Sequence, residues 1–236
     1  MGRWISRQYH PIALKLSASL STPVMMSSWR VTPVEILFRF GDEQLRIDRQ
    51  DGAQYWFARA QQLAPASPLP YEGLGLLASQ QDNSSEAVNE LQQALQRGSS
   101  SFLAHYIYAQ EKYHLTAHGG DMYLPVPGDL AGEIRGELNK SLELMPNFAP
   151  SHELLGFFEM VQGDNLALAE EQLNDAISLE PENSSYVFTL AQVQVRNRES
   201  DAARRTLQPL LRPNVDAKLR ADAQELAQQI NNGSSN

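Results

Sequence analysis

Cysteine is missing altogether from the 236 residues, which excludes a disulfide framework, a thiolate zinc site and a cysteine nucleophile together. A chain without thiols suits a reducing or an oxidising compartment, so redox chemistry does not place it. Basic residues are in deficit, with 19 Lys plus Arg against 28 Asp plus Glu and a formal charge of -9. A protein that grips a phosphate backbone needs a basic face, so nucleic acid is not an expected partner. Long apolar runs are lacking too: none approaches the roughly 20 residues of a membrane-spanning helix, which predicts a soluble chain. No Gly-rich phosphate loop follows a strand, and no Ser, His and Asp set shows an elbow pattern. What remains is ample material for a core, at 42% hydrophobic residues.

The segment up to Arg30 differs from the rest. Arg3 and Arg7 precede a moderately apolar stretch from Pro11 to Met26 that imitates a secretory signal, yet Lys15, Pro11, Pro23 and several serines interrupt it. Residues 1–33 read as a poorly ordered leader, and 232–236 as a disordered tail. The cytoplasm is the favoured compartment, with export left open.

From there a spacing repeats. A small residue in one helix is followed in the next by Ala, then Leu or Phe, then Ala, at offsets of four and three. It appears as Gly75, Ala87, Leu91, Ala94 and returns as Gly156, Ala169, Leu173, Ala176. The second-helix markers Ala53, Ala87, Ile134, Ala169 and Ala203 follow one another at intervals of 34, 47, 35 and 34, and the first-helix markers Gly75, Ala109, Gly156 and Ala191 at intervals of 34, 47 and 35. Two registers therefore report the same lengths, and periods of this size identify stacked helix pairs. The middle unit is a 34-residue unit with 13 extra residues, and the excess falls between Thr116 and Gly128 where glycines and prolines crowd together.

The apolar periodicity predicts helix pairs at 69–81 with 84–97, 102–115 with 129–144, 149–162 with 165–179, and 184–197 with 199–208. Pro65, Pro146 and Pro181 end the second helices of their pairs, and Pro209 predicts that the last one stops or kinks near Gln208. Complete units fall near 68–101, 102–148, 149–183 and 184–212, with a capping helix at 215–230, all within a repeat domain spanning 34–231. The segment 34–50 supports two assignments: Val34, Ile36, Phe38 and Phe40 alternate as in a strand, while the spacing upstream of Ala53 favours a degenerate first helix.

Tyr71, Leu74, Gly75, Ala87, Leu91 and Ala94, and again Leu155, Gly156, Ala169, Leu173, Ala176 and Pro181, resemble the tetratricopeptide repeat over about 50–211. The resemblance implies an all-α, right-handed α-solenoid of helix hairpins whose work is to bind other proteins, with no cofactor. Ser141, where a small apolar residue is usual, and Pro209 depart from the pattern.

Candidate chemistry is thin. His152 and Glu153 imitate the start of a zinc-peptidase helix, but the position of the second histidine is Gly156, which packing requires. His105, His114, His118 and Asp121 cluster about the insertion, and the histidines read as ordinary surface and groove histidines without a metal. No catalytic residue is assigned and the chain reads as a non-enzyme. The first helix of each pair lines the concave side of such an array, and one face of those helices collects Tyr106, Gln110 and Tyr113, then Glu153, Phe157 and Met160, then Phe188, Gln192 and Arg196. Rings and amides in a row suit an extended peptide or a partner helix. The competing reading packs Phe157, Met160 and Phe188 in the core if the facing is shifted by one position. Repeats of this kind that hold acidic chaperone tails clamp the carboxylate with several cations; this row offers only Arg196, so a less charged ligand is favoured. The function that follows is an interaction scaffold for a protein or peptide partner, with an accessory repeat domain of a larger enzyme or assembly as the alternative. The insertion at 116–128 is long for a helix connection, and Tyr123, Leu124 and Val126 are the residues that would fold it over the row.

Overall fold

The computed structural model describes residues 31–116 and 124–233. The leader up to residue 30, residues 117–123 of the insertion, including His118, Asp121 and Tyr123, and the last three residues lie outside them. The described residues are all-α: α1 (Pro33–Arg46), α2 (Gln50–Leu63), α3 (Leu69–Gln80), α4 (Ser84–Gln96), α5 (Phe102–Thr116), α6 (Gly128–Leu144), α7 (Ala149–Gln162), α8 (Leu166–Leu179), α9 (Ser184–Arg196), α10 (Ser200–Leu207) and α11 (Ala217–Gly233). No described helix is long and apolar enough to cross a membrane. They form two compact units, the division falling inside α6: one comprises the described residues up to 116 with Asn139–Leu144, the other those from 124 to Leu138 and from Met145 on.

In the first unit α1 packs on α2 and α3 on α4, and each hairpin continues into the next through α2 on α3 and α4 on α5. The ambiguous segment 34–50 is resolved as helix. Thr32 and Glu35 form a capping box, the Glu35 amide donating to Thr32 Oγ1 at 3.4 Å and the Thr32 amide to Glu35 Oε2 at 2.7 Å, with Pro33 opening the first turn. Alternation of Val34, Ile36, Phe38 and Phe40 gives way because these residues serve two sides of one helix: Phe38 packs on the Leu45, Ala53, Phe57, Leu74 and Leu77 core, while Ile36 and Phe40 face away at 45% and 51% exposure.

That helix also supplies the marker missing from the sequence reading. Gly41 precedes Gly75 by the same interval that separates Ala53 from Ala87, and a Cβ there would stand 2.3 Å from Phe57 Cε1, so only glycine admits the ring. The second-helix markers Ala53, Ala87, Ala169 and Ala203 are fully buried at 0%, as are Leu91, Leu138 and Leu173. Burying one such Leu contributes roughly 1.5–3 kcal/mol to its hairpin.

Turns repeat with the same register. Asp48 (φ 56°), Asp82 (φ 56°), Gly163 (φ 78°) and Arg198 (φ 63°) all take left-handed backbone between the two helices of a hairpin. By the unit lengths Thr116 is the corresponding residue of the long unit, so the insertion begins where the others make this turn. Asparagines cap the following helices: Asn83 accepts from Glu86 N at 3.3 Å, Asn165 from Leu168 N at 3.1 Å and Asn183 from Ser185 N at 3.3 Å.

In the second unit α7 packs on α8, α8 on α9, α9 on α10, and α11 closes on α9 and α10. Pro209 acts as the sequence predicts: α10 stops at Leu207 and the chain tightens into a 3-10 turn, Gln208–Leu211. On α11 the inward face is Leu219, Ala223 and Ile230, all buried, while Lys218 and Gln228 are exposed. A polar outer face of this kind finishes a repeat array.

Candidate functional site

Each unit carries its own part of the first-helix row. In the first unit Tyr106 (2% exposed), Gln110 (4%) and Tyr113 (1%), all on α5, are buried. The same unit holds buried carboxylates at Glu72 and Glu111. Glu72 accepts from Ser99 Oγ at 2.6 Å, and Glu111 accepts from Ser79 Oγ at 2.6 Å with His114 Nδ1 at 3.7 Å. Burial pushes the Glu72 carboxyl above its ordinary range, against the Ser99 hydrogen bond and the nearby His105. Burial acts on Glu111 in the same sense, but hydrogen bonds from His114, Ser79 and Ser84 together hold it below that range. His105 is buried and His114 half-buried. Among the described residues no group of three or more His, Asp or Glu is arranged to hold a metal ion.

In the second unit Phe157 (6%) and Met160 (3%) on α7 are buried. Glu153 on α7 and Phe188 and Gln192 on α9 are half-buried, and Arg196 at the end of α9 is exposed. Glu153 Oε1 accepts from Thr189 Oγ1 at 3.5 Å, and Arg196 Nη2 donates to the Val161 carbonyl at 3.3 Å, so α9 is tied to α7 at both ends of this surface. The nine residues thus divide: five underlie the first helices, and four reach solvent on α7 and α9.

His152 has a holding role. Its Nδ1 lies 2.8 Å from Gln172 Oε1 on α8 and its Nε2 2.8 Å from the Pro146 carbonyl, so one ring fastens α7 to its partner helix and to the preceding turn. The turn after Pro65 is fastened alike, its carbonyl accepting from Tyr71 Oη and from Arg97 Nε, each at 3.0 Å. At Gly156 a Cβ would meet Leu173 Cγ at 2.8 Å and the Ala169 carbonyl oxygen at 2.9 Å.

Periodicity did not point to two buried polar contacts of this unit. Glu159, fully buried on α7, pairs with Arg135 of α6, whose Nη2 donates to Glu159 Oε2 at 3.0 Å, and this hydrogen bond raises the Arg135 guanidinium. Gln194 links three helices, donating to Glu170 Oε1 at 3.1 Å and accepting from Thr206 Oγ1 at 2.8 Å. A Glu and a Gln at core positions were the available signal, since such groups are buried only when paired.

Val126, near the end of the insertion, is buried, whereas Leu124 is exposed.

No family model matches the chain, and no curated protein is similar to it by sequence. Solved structures do match. YrrB, described as a TPR protein with an unusual peptide-binding site, is 15% identical, with a TM-score of 0.65 over 80% of this chain and 90% of that one. The thermophilic TPR protein TTC0263 of Thermus thermophilus is 18% identical, with a TM-score of 0.55 over 82% and 98%. PilF of Pseudomonas aeruginosa is 16% identical, with a TM-score of 0.60 over 84% and 88%. At these identities the likeness speaks for the fold, and with the buried markers and paired helices it identifies the chain as an all-α tetratricopeptide-repeat fold.

Proposed function

We propose that this protein is a non-catalytic interaction scaffold that holds a peptide or a partner helix on the first-helix face of α7 and α9. One observation carries the reading: Phe188 is half-buried on a helix side that it shares, at four-residue spacing, with half-buried Gln192 and exposed Arg196. A ring with partial exposure gives apolar contact at small entropic cost, while the amide and the two charges pair with a ligand backbone. Tyr106, Gln110, Tyr113, Phe157 and Met160 back the first helices of their units and keep them rigid. YrrB, described as having a peptide-binding site, supports a peptide as the kind of ligand a chain of this fold can take. The ligand is a weakly charged segment, because Arg196 is the only cation of the row.

The test is a selection from a random-peptide display library on the full chain, followed by affinity measurements with Phe188→Ala and Gln192→Ala. The proposal expects saturable binders whose affinity falls about tenfold or more in either variant at unchanged helix content. Binders indifferent to both variants would remove it.

A second reading, an accessory repeat domain of a larger enzyme or assembly, draws on a chain of the crystal structure of the APC/C hetero-tetramer Cut9-Hcn1. That comparison covers 95% of this chain but only 42% of the matched chain, with a TM-score of 0.61 and 14% identity.

A further inference from the structure

The first hairpin leaves open a face that every later hairpin closes. Counting by the unit lengths from Ile36 gives Pro70, Ala104, Ser151 and Tyr186, all of them buried. Counting likewise from Phe40 gives Leu74 at 9%, Tyr108 at 2%, Leu155 at 2% and Leu190 at 7%. Ile36 and Phe40 themselves are 45% and 51% exposed. Beside them Phe40 stacks on Trp56 at 5.1 Å, and Trp56 meets the edge of Tyr55, itself 62% exposed, also at 5.1 Å. In later hairpins the first helix packs on the second helix of the hairpin before it, as α3 does on α2 and α5 on α4; α1 has no such neighbour among the described residues. The last hairpin solves the corresponding problem with α11, which turns a polar face outward. The first presents aromatic rings.

We propose that residues 16–29 of this same chain cover the face formed by Ile36, Phe40, Tyr55 and Trp56. Three observations select this occupant. First, 16–29 contains no charged side chain, between Lys15 and Arg30, yet carries Leu16, Leu20, Val24, Met25, Met26 and Trp29. A stretch so apolar gains by burial, at roughly 25 cal/mol per Å² removed from water. Second, it ends three residues before Thr32, whose capping box and extended backbone (φ −76°, ψ 153°) fix where the chain enters α1. Phe40 lies about 12 Å along the helix from that cap at 1.5 Å per residue, well inside the roughly 45 Å that fourteen extended residues can span. Third, tethering gives the segment a local concentration in the millimolar range that a second copy does not have. The sequence spacing does not continue into the segment: the markers Ala53, Phe57 and Ala60 map back to Ser19, Pro23 and Met26, with a proline at the central position.

The test places a photoreactive benzophenone side chain at position 40 of the full, dilute protein and maps its crosslinks after trypsin, which cuts at Lys15 and Arg30 and isolates the segment. The proposal expects a product within one chain joining position 40 to peptide 16–30. It also expects the double variant Val24→Asp with Met26→Asp to cut that yield about tenfold and to raise amide exchange in α1 while α7 to α9 keep their protection. Crosslinked pairs of chains, products lacking 16–30, or a yield unchanged by the double variant would each overturn it.

Discussion

Gly156 stands where side chains are excluded by backbone as well as by a neighbour, since the Ala169 carbonyl oxygen would lie 2.9 Å from an added Cβ. Leu173 can rotate away, but the carbonyl belongs to a helix fixed by its own hydrogen bonds. Gly156→Val should therefore destabilise by about 1–3 kcal/mol as α7 is pushed off α8, visible as a lower melting temperature; an unchanged transition would mean the hairpin spacing is soft. Glu72 makes a different prediction. Its folded pKa is raised by burial, so its contribution to stability is full below the unfolded value of 4.5 and is lost as pH rises through the folded pKa. Glu72→Gln keeps an acceptor for Ser99 Oγ and removes the charge. Thermal melts should show the variant more stable than the parent at pH 7, with the gap closing toward pH 4; a gap that widens on acidification would contradict the assignment.

At the level of elements, α1 shows how a cap decides what periodicity leaves open. The Thr32 to Glu35 box satisfies two amide groups at the helix start. Thr32→Ala should cost about 1 kcal/mol and raise hydrogen exchange chiefly in the first turn of α1, whereas an even rise across α1 to α5 would show the box to be incidental. The register was legible in the sequence because Ala53, Ala87, Ala169 and Ala203 place a small side chain at fixed intervals, with Ile134 the exception. Gly41 extends it and was readable by subtraction, but the alternation of Ile36, Phe38 and Phe40 masked it. The row on the first helices was only partly legible. Spacing puts Tyr106, Phe157 and Phe188 on one helix side, yet exposure depends on how far the neighbouring side chains reach. Tyr106 and Phe157 are buried while Phe188 remains half open. Buried pairs such as Arg135 with Glu159 join residues of different helices, which no local pattern specifies.

For the molecule as a whole, the successive unit lengths of 34, 47, 35 and 34 tie the fold to its two ends and to one irregularity. The insertion starts at the register position of the left-handed turn residue, so lengthening the loop there interrupts no buried marker. Such placement is tolerated because loop closure entropy grows slowly with length. Of the nine residues of the first-helix row, those that reach solvent lie on α7 and α9. The decisive measurement is a nitrogen-15 NMR titration of the full chain with a library-selected peptide. The scaffold reading predicts saturable shifts concentrated at Glu153, Phe188, Gln192 and Arg196, abolished by Phe188→Ala at unchanged helix content. Saturable shifts confined to other helices, or identical shifts in the Phe188→Ala protein, would contradict it.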